Sequence, residues 1–265
     1  MEFLEWLREN DHCIDWQMFV GPWDAMQCRH NPFRNDQIDT ILHASAILET
    51  DKPSILDLGC GPGGLGSRIF QQIPEAQYYG VDGDPLMLSA MQHLLPGSNA
   101  HPLQFDLRTV GWELHYRGQF DAVISLTALH WLSKDHLKQL YKAMHTVLKP
   151  GGRLVVGDPY LPVEPSDKAR LKAFQDVRVA KEKGSTWDEF WTTFFSKYPV
   201  KEIYTQYHVA LGYQEPFEGS DDGYPAEFYN GSLAEAGFEP VSIYWMSGLR
   251  IVYGGTKRAQ RVKVE

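Results

Sequence analysis

The chain has 265 residues, 43% hydrophobic and 22% charged, a balance that suits a soluble globular protein and excludes a disordered or membrane-embedded one. A formal charge of −9 weighs against broad contact with a nucleic-acid backbone, which relies on clustered Lys and Arg. Cys13, Cys28 and Cys60 are odd in number and lack metal-ligand spacing, so neither a disulfide framework nor a structural metal is expected.

The opening MEFLEWLREN has no secretory pattern, and no apolar run approaches the roughly 20 residues that cross a bilayer, so a cytoplasmic location without membrane contact is expected. Residues 1–50 read as an N-terminal helical cap. From 54 onward, short apolar runs alternate with helical patterns. The runs are SILDLG (54–59), QYYGVDG (77–83), HPLQF (101–105), FDAVISL (120–126) and RLVVGD (153–158). Between them, Leu65, Ile69 and Ile73, then Met87, Leu88, Met91, Leu94 and Leu95, then Leu137, Leu140, Tyr141, Met144, Val147 and Leu148 fall at helical spacing. That alternation predicts βαβ units, hence an α/β, doubly wound, mostly parallel sheet covered on both faces. LKPGG at 148–152 stops the third helix, because Pro150 cannot continue it and the glycines permit a turn.

The pattern breaks between 159 and 224, which reads as a helical lid insert. One segment centres on Leu171, Phe174 and Val177; the other carries Trp187, Phe190, Trp191, Phe194, Phe195 and Tyr198, a stripe expected to face the mouth of the sheet. From 226, EFYNGSLAEAGF reads as a helix. VSIYWM and RIVYGGT follow, separated by Ser247, Gly248 and Leu249, and predict an antiparallel hairpin. Residues 51–158 and 225–258 therefore form the core. KRAQRVK at 257–263 reads as a solvated terminus.

ILDLGCGPGGLG at 55–66 carries the chemistry. A strand runs into Gly59, Gly61, Gly63 and Gly64 before a helix, which lets the backbone turn sharply and a ligand approach the amides. A nicotinamide dinucleotide would suit such a loop, but its pyrophosphate would be repelled by Asp57, just ahead of the first glycine; a ligand ammonium would be attracted. Asp82 ends the next strand, where an acid accepts hydrogen bonds from ribose hydroxyls. An amino group, a ribose and no phosphate describe S-adenosylmethionine.

D-x-G-x-G-x-G at 57–63, GVDGDPLML at 80–88, LQFD at 103–106, FDAVIS at 120–125 and LKPGGRLVV at 148–156 together resemble the class I S-adenosylmethionine-dependent methyltransferases. The resemblance implies a Rossmann-like seven-stranded sheet with an antiparallel last strand. It also implies that Asp57, Gly59 and Gly61 hold the methionine end, Asp82 the ribose, and Asp106 with Leu107 the adenine, with Ser125 completing the cofactor set. Gly83 departs from the family, which places an apolar side chain there against the adenine, so that stacking must be weaker or supplied elsewhere. DPY at 158–160 is similar to the D-P-P-Y of adenine N-methyltransferases, but it follows the fifth strand instead of the fourth. The paired acids that hold magnesium in catechol-type enzymes are missing, since Pro159 follows Asp158; metal-independent chemistry is expected.

SLTALHWLS at 125–133 follows the fourth strand, on the edge where doubly wound sheets bind ligands. It resembles the S-x-x-x-L-H-W-L-S stretch of plant carboxyl and N-methyltransferases of the salicylate and caffeine kind, and the A-L-H-W of trans-aconitate methyltransferases. His130 and Trp131 are thus candidate catalytic residues: His130 could take a proton from a phenol or amine, and Trp131 could orient an acceptor carboxylate. Packing of both under the next helix is the alternative. WDAMQCRHNPFRNDQIDTIL keeps an aromatic-acid start and Arg34, similar to the trans-aconitate type but without its Arg-Pro. Trp16, Gln17, Trp23 and Gln27 are candidate acceptor-binding residues. The expected activity is methyl transfer to a small-molecule acceptor, at a carboxylate or hydroxyl oxygen in a biosynthetic pathway, by a monomer or homodimer. N- or C-methylation is the alternative, and a silent cofactor-binding regulator or an NAD-dependent oxidoreductase would be the competing classes.

Overall fold

In the computed structural model, which describes residues 2–95, 97–213 and 218–259, the expected strands pair side by side. β1 (Ser54–Leu58), β2 (Gln77–Asp82), β3 (Ala100–Gln104), β4 (Phe120–Leu126) and β5 (Leu148–Pro159) run parallel. β6 (Phe238–Ser247) and β7 (Arg250–Lys257) form the hairpin, and β7 inserts antiparallel between β5 and β6. The result is a seven-stranded sheet of order β3-β2-β1-β4-β5-β7-β6. Ile55, Leu56, Leu58, Val123 and Ile124 are fully buried, which is why β1 and β4 read as continuous apolar runs instead of alternating ones.

The helices are α1 (Glu2–Asn10), α2 (Trp16–His30), α3 (Arg34–Ala44), α4 (Gly64–Gln72), α5 (Pro85–Leu94), α6 (Lys134–Val147), α7 (Pro165–Val179), α8 (Trp187–Lys197), α9 (Lys201–Ala210) and α10 (Ala226–Glu235). Leu137, Leu140 and Met144 of α6 and Leu233 of α10 cover one sheet face. Ile38 and Ile41 of α3, Leu65 and Ile69 of α4 and Met91 of α5 cover the other. Each such side chain contributes about 1.5–3 kcal/mol on burial, so covering both faces is a main source of the core's stability. Residues 1–50 divide in the fold. α3 packs on the sheet, where Gln37 donates to Ile251 O at 2.9 Å, while α1 and α2 join α8 and α9 in a separate aromatic cluster against Leu86, Met87 and Ala90 of α5.

Three expectations change. α6 does stop at Val147, but LKPGG is part of β5: Leu148 pairs with Phe120, and a bulge restores register at Ala122 and Arg153. Gly152 is needed there because a Cβ would sit 3.0 Å from Asp121 O. The stripe of α8 does not face the sheet mouth; Phe190 and Phe194 each stand edge-on to Phe19 of α2, with ring centroids at 5.2 Å. The α7 pattern is also not a buried stripe: Phe174 and Val177 are exposed, with Phe174 stacked on Phe33. α9 went unseen because it buries a single side chain, Tyr204, and so has no apolar periodicity. Among the described residues no helix is long and apolar enough to cross a membrane. Positions 260–263 of the basic run lie outside the described residues.

Candidate active site

The loop between β1 and α4 holds Gly59, Gly61 and Gly63 at φ of +68°, +53° and +85°, a region that side-chain-bearing residues rarely adopt. A Cβ on Gly59 would lie 2.3 Å from Ala128 Cβ, so the loop after β4 closes directly on the glycine loop. Asp57 is buried behind it and accepts from Tyr78 Oη. Burial pushes its pKa up to about 7, with Asp82 adding to the rise and Tyr78 and Arg34 opposing it. Asp82 Oδ2 accepts from Gly61 N at 2.9 Å and its Oδ1 from Asp84 N at 2.9 Å. Burial pushes this carboxyl up to about 6 against those backbone donors. Two incompletely compensated carboxyls thus flank a backbone loop, an arrangement that favours a ligand bringing positive charge and hydroxyl donors.

β4 leaves the sheet through Thr127 at φ +54°, a strained conformation for a β-branched residue. That turn lays Ala128 on Gly59 and carries Leu129–Trp131 as a short 3-10 turn across the end of β5. His130 is buried, and its Nδ1 is 2.7 Å from Oδ1 of Asp158, which is wholly buried near the end of β5. Trp131 is 37% exposed, with its ring centroid 4.6 Å from that of His130. Gly219 N donates to Trp131 O and Ser220 N to His130 O, so the insert fastens this turn from outside. Arg250 at the start of β7 is the neighbouring cation: burial lowers its pKa while Asp158 and Asp222 raise it.

α2 crosses above the glycine loop. Trp23 Nε1 lies 4.0 Å from where a Gly61 Cβ would be, and Gln27 is half-buried one turn further on the same face. Asp24 and Arg34 form a 3.3 Å ion pair, with Asp24 Oδ1 and Arg34 Nη2 3.5 and 3.4 Å from a Cβ on Gly64. The aromatic-acid start and Arg34, noted in sequence as a pattern, therefore meet over the loop.

Among the other candidates, Trp16, Gln17 and Ser125 are not brought to the loop, while Asp106 and Leu107 stand beyond β3 with partners of their own. Trp16 stacks on His93 in the last turn of α5, away from Asp84 at that helix's start, and its indole N–H is spent on Asp11 O at 3.0 Å. Gln17 is exposed on the first turn of α2. Ser125 is buried within the sheet, where its hydroxyl donates to Leu58 O at 2.7 Å and ties β4 to β1 instead of meeting a ligand. Leu107 is half-buried against the core. Asp106 is already engaged: Arg108 Nε is 2.9 Å from its Oδ2 and Arg108 N 2.8 Å from its Oδ1. Burial works against ionisation of Asp106, but Arg108 outweighs it and holds the carboxyl below its usual range.

Asp158, Arg250 and Arg108 were not picked out as site residues in the sequence. For Asp158 a signal existed, since β4 and β5 are neighbours in this topology and their ends deliver His130 and Asp158 to one edge. The three cysteines are free, with Cys60 buried within the glycine loop itself. Among the described residues no group of three His, Cys, Asp or Glu side chains is placed to hold a metal ion.

A methyltransferase-domain family model matches residues 55–152, β1 through the start of β5. Together with the sheet order, this match supports a class I S-adenosylmethionine-dependent methyltransferase with S-adenosylmethionine as its cofactor. Within the class, the chain is similar to trans-aconitate 2-methyltransferase of Shigella dysenteriae, 27% identical over 177 residues, spanning 60% of this chain and 66% of that protein. The same enzyme from Escherichia coli is 26% identical over 212 residues, 73% of this chain and 80% of that one. The fold is shared with human N-acetylserotonin methyltransferase solved with S-adenosylmethionine, at TM-score 0.55 and 16% identity, over 88% of this chain and 55% of that one. The CurJ carbon methyltransferase gives TM-score 0.57 at 16% identity, over 84% and 54%. The chain thus spans about half the length of these two solved chains.

Proposed function

We propose that the chain moves the methyl group of S-adenosylmethionine to a hydroxyl oxygen of a small-molecule acceptor, with His130 as general base and Asp158 as its positioning residue. The 2.7 Å contact of His130 Nδ1 with Asp158 carries this reading. A carboxylate at Nδ1 keeps the hydrogen there and leaves the Nε2 lone pair to take a proton. A hydroxyl acceptor must lose a proton as it attacks; a carboxylate acceptor need not. With the His-Asp pair supplying the base, the step needs no metal.

The residues fit the cofactor. The buried Asp57 would hold the ammonium, Asp82 the ribose hydroxyls, Gly59 and Gly61 would give the close backbone approach, and Asp106 with Leu107 would meet the adenine. Bound S-adenosylmethionine supplies an electrophilic methyl group on a sulfonium. The chain's own work is alignment and deprotonation, and alignment can contribute about 7–11 kcal/mol. Trp131 would orient the acceptor beside His130, with Trp23 and Gln27 closing the site from α2. Trp131→Ala should remove most turnover while leaving S-adenosylhomocysteine affinity intact by calorimetry; unchanged turnover would return Trp131 to a packing role.

The two raised carboxyls also set a pH dependence. Because both folded values lie above the ordinary aspartate value, the folded state binds more protons than the unfolded chain between about pH 4 and 7, and their contribution to stability falls as pH rises through that window. A cationic ligand favours ionised Asp57, so the rise in Tm on adding S-adenosylhomocysteine should grow between about pH 5.5 and 8. A rise that shrinks over that range would contradict the Asp57 assignment.

A second reading, a carboxylate acceptor, is favoured by Arg250, whose buried Nε has no hydrogen-bond partner among the described residues, and by the similarity to trans-aconitate 2-methyltransferases. An acceptor panel of phenols, alcohols, amines and acids tests both. Turnover of acids that survives His130→Gln would favour the carboxylate reading.

A further inference from the structure

Gly83 follows Asp82 and has no side chain, yet its position is covered. A Cβ there would meet Tyr213 Oη at 2.2 Å, Cε2 at 2.8 Å and Cζ at 2.8 Å. Tyr213 follows α9 in the insert, and two contacts bring it in. Tyr204 Oη of α9 donates to Asp84 Oδ2 at 2.6 Å, on the residue that caps α5. Arg108 donates from Nη1 to Gly212 O at 3.1 Å and from Nη2 to Leu211 O at 2.6 Å, while its Nε and Nη2 hold Asp106. The planar guanidinium lies 4.7 Å from the Tyr213 ring centroid, so this ring already carries a flat partner on one face. Burial holds the Tyr213 phenol neutral by raising its pKa well above the usual range.

We propose that Tyr213 is the adenine-stacking residue of this methyltransferase: the insert supplies the aromatic surface that Gly83 does not. This rests on the reading of Asp82 and Asp106 as the adenosine side of the cofactor site. Stacking on an aromatic ring is insensitive to where in the chain the ring originates, and it commonly changes affinity by roughly tenfold to a hundredfold per base. Gly83 itself has no left-handed φ, so its backbone accepts a side chain once Tyr213 is gone.

The test is calorimetry of S-adenosylhomocysteine and of adenosine with wild type, Tyr213→Phe, Tyr213→Ala and the double variant Gly83→Leu with Tyr213→Ala. The phenylalanine variant should match wild type. Tyr213→Ala should raise Kd about tenfold or more for both ligands, and the double variant should recover most of that loss by restoring an apolar side chain at 83. Unaltered or tighter binding by Tyr213→Ala, a loss seen with S-adenosylhomocysteine but not with adenosine, or no recovery in the double variant would each overturn the proposal. Should Tyr213→Ala fail to fold, the double variant and Tyr213→Phe still decide it. If wild type binds neither ligand, the cofactor reading itself fails, whereas binding by wild type with no change in the variants removes only Tyr213.

Discussion

Asp82→Ala is expected to weaken S-adenosylhomocysteine binding by about a hundredfold or more, since hydrogen bonds to a charged group contribute roughly 1.5–3 kcal/mol each and a ribose offers two hydroxyls. The loss has a second source. Asp82 also accepts from Gly61 N and Asp84 N, so alanine leaves two backbone donors of the ligand-facing turn without their acceptor. Asp82→Asn separates the two contributions, because its amide oxygen replaces only one of the two acceptors; an intermediate Kd is expected. Calorimetry at neutral pH checks this, and an unchanged Kd for Asp82→Ala would sink the ribose assignment.

His130→Ala is expected to lower kcat by about 100- to 10,000-fold on a hydroxyl acceptor, the range over which a positioned general base acts. Asp158→Asn should cost nearly as much while preserving shape, because an amide can present its N–H to Nδ1 and so stabilise the tautomer in which Nε2 carries the hydrogen. Neither side chain contacts the glycine loop in any of the bonds described, so S-adenosylhomocysteine affinity should hold within a few fold. Since Asp158 is wholly buried, Tm is measured alongside to separate lost chemistry from lost fold. Raising the assay pH should restore part of the activity of His130→Ala on a phenol, whose ionised fraction grows without help from the protein. It should not do so for a carboxylate.

The core of the fold was legible because its strands are short apolar runs closed by glycine or acid, and the αβ alternation leaves a doubly wound parallel sheet, whose seven-stranded form the family resemblance implied. The hairpin could be read from Ser247, Gly248 and Leu249 for the same reason. What could not be read is where apolar side chains go when two partners compete for them. Phe190 and Phe194 spell a helix stripe whether they meet the sheet or α2, and only the tertiary arrangement chooses α2. α9 buries one residue and leaves no period to detect. At the candidate site, Asp57, Asp82 and the glycines stand together because they are near in sequence and end adjacent parallel strands. Trp16 and Ser125 failed for a common physical reason: each is a polar-edged side chain whose donor was already used locally, by Asp11 O and Leu58 O. Asp158 and Tyr213 were missed because their significance is a long-range pairing, His130 with the end of β5 and Gly83 with the insert. The departure at Gly83 was visible in sequence; the residue that covers it was not.

The central proposal is methyl transfer to a hydroxyl oxygen deprotonated by the His130–Asp158 pair. The most direct measurement is transfer of a labelled methyl group from S-adenosylmethionine to a panel of phenols, alcohols, amines and acids, by wild type and Asp158→Asn in parallel. The expected result is a labelled ether on a hydroxyl acceptor that falls by about a hundredfold or more in Asp158→Asn. A label found only as a carboxyl ester, formed equally well by wild type and Asp158→Asn, would contradict it.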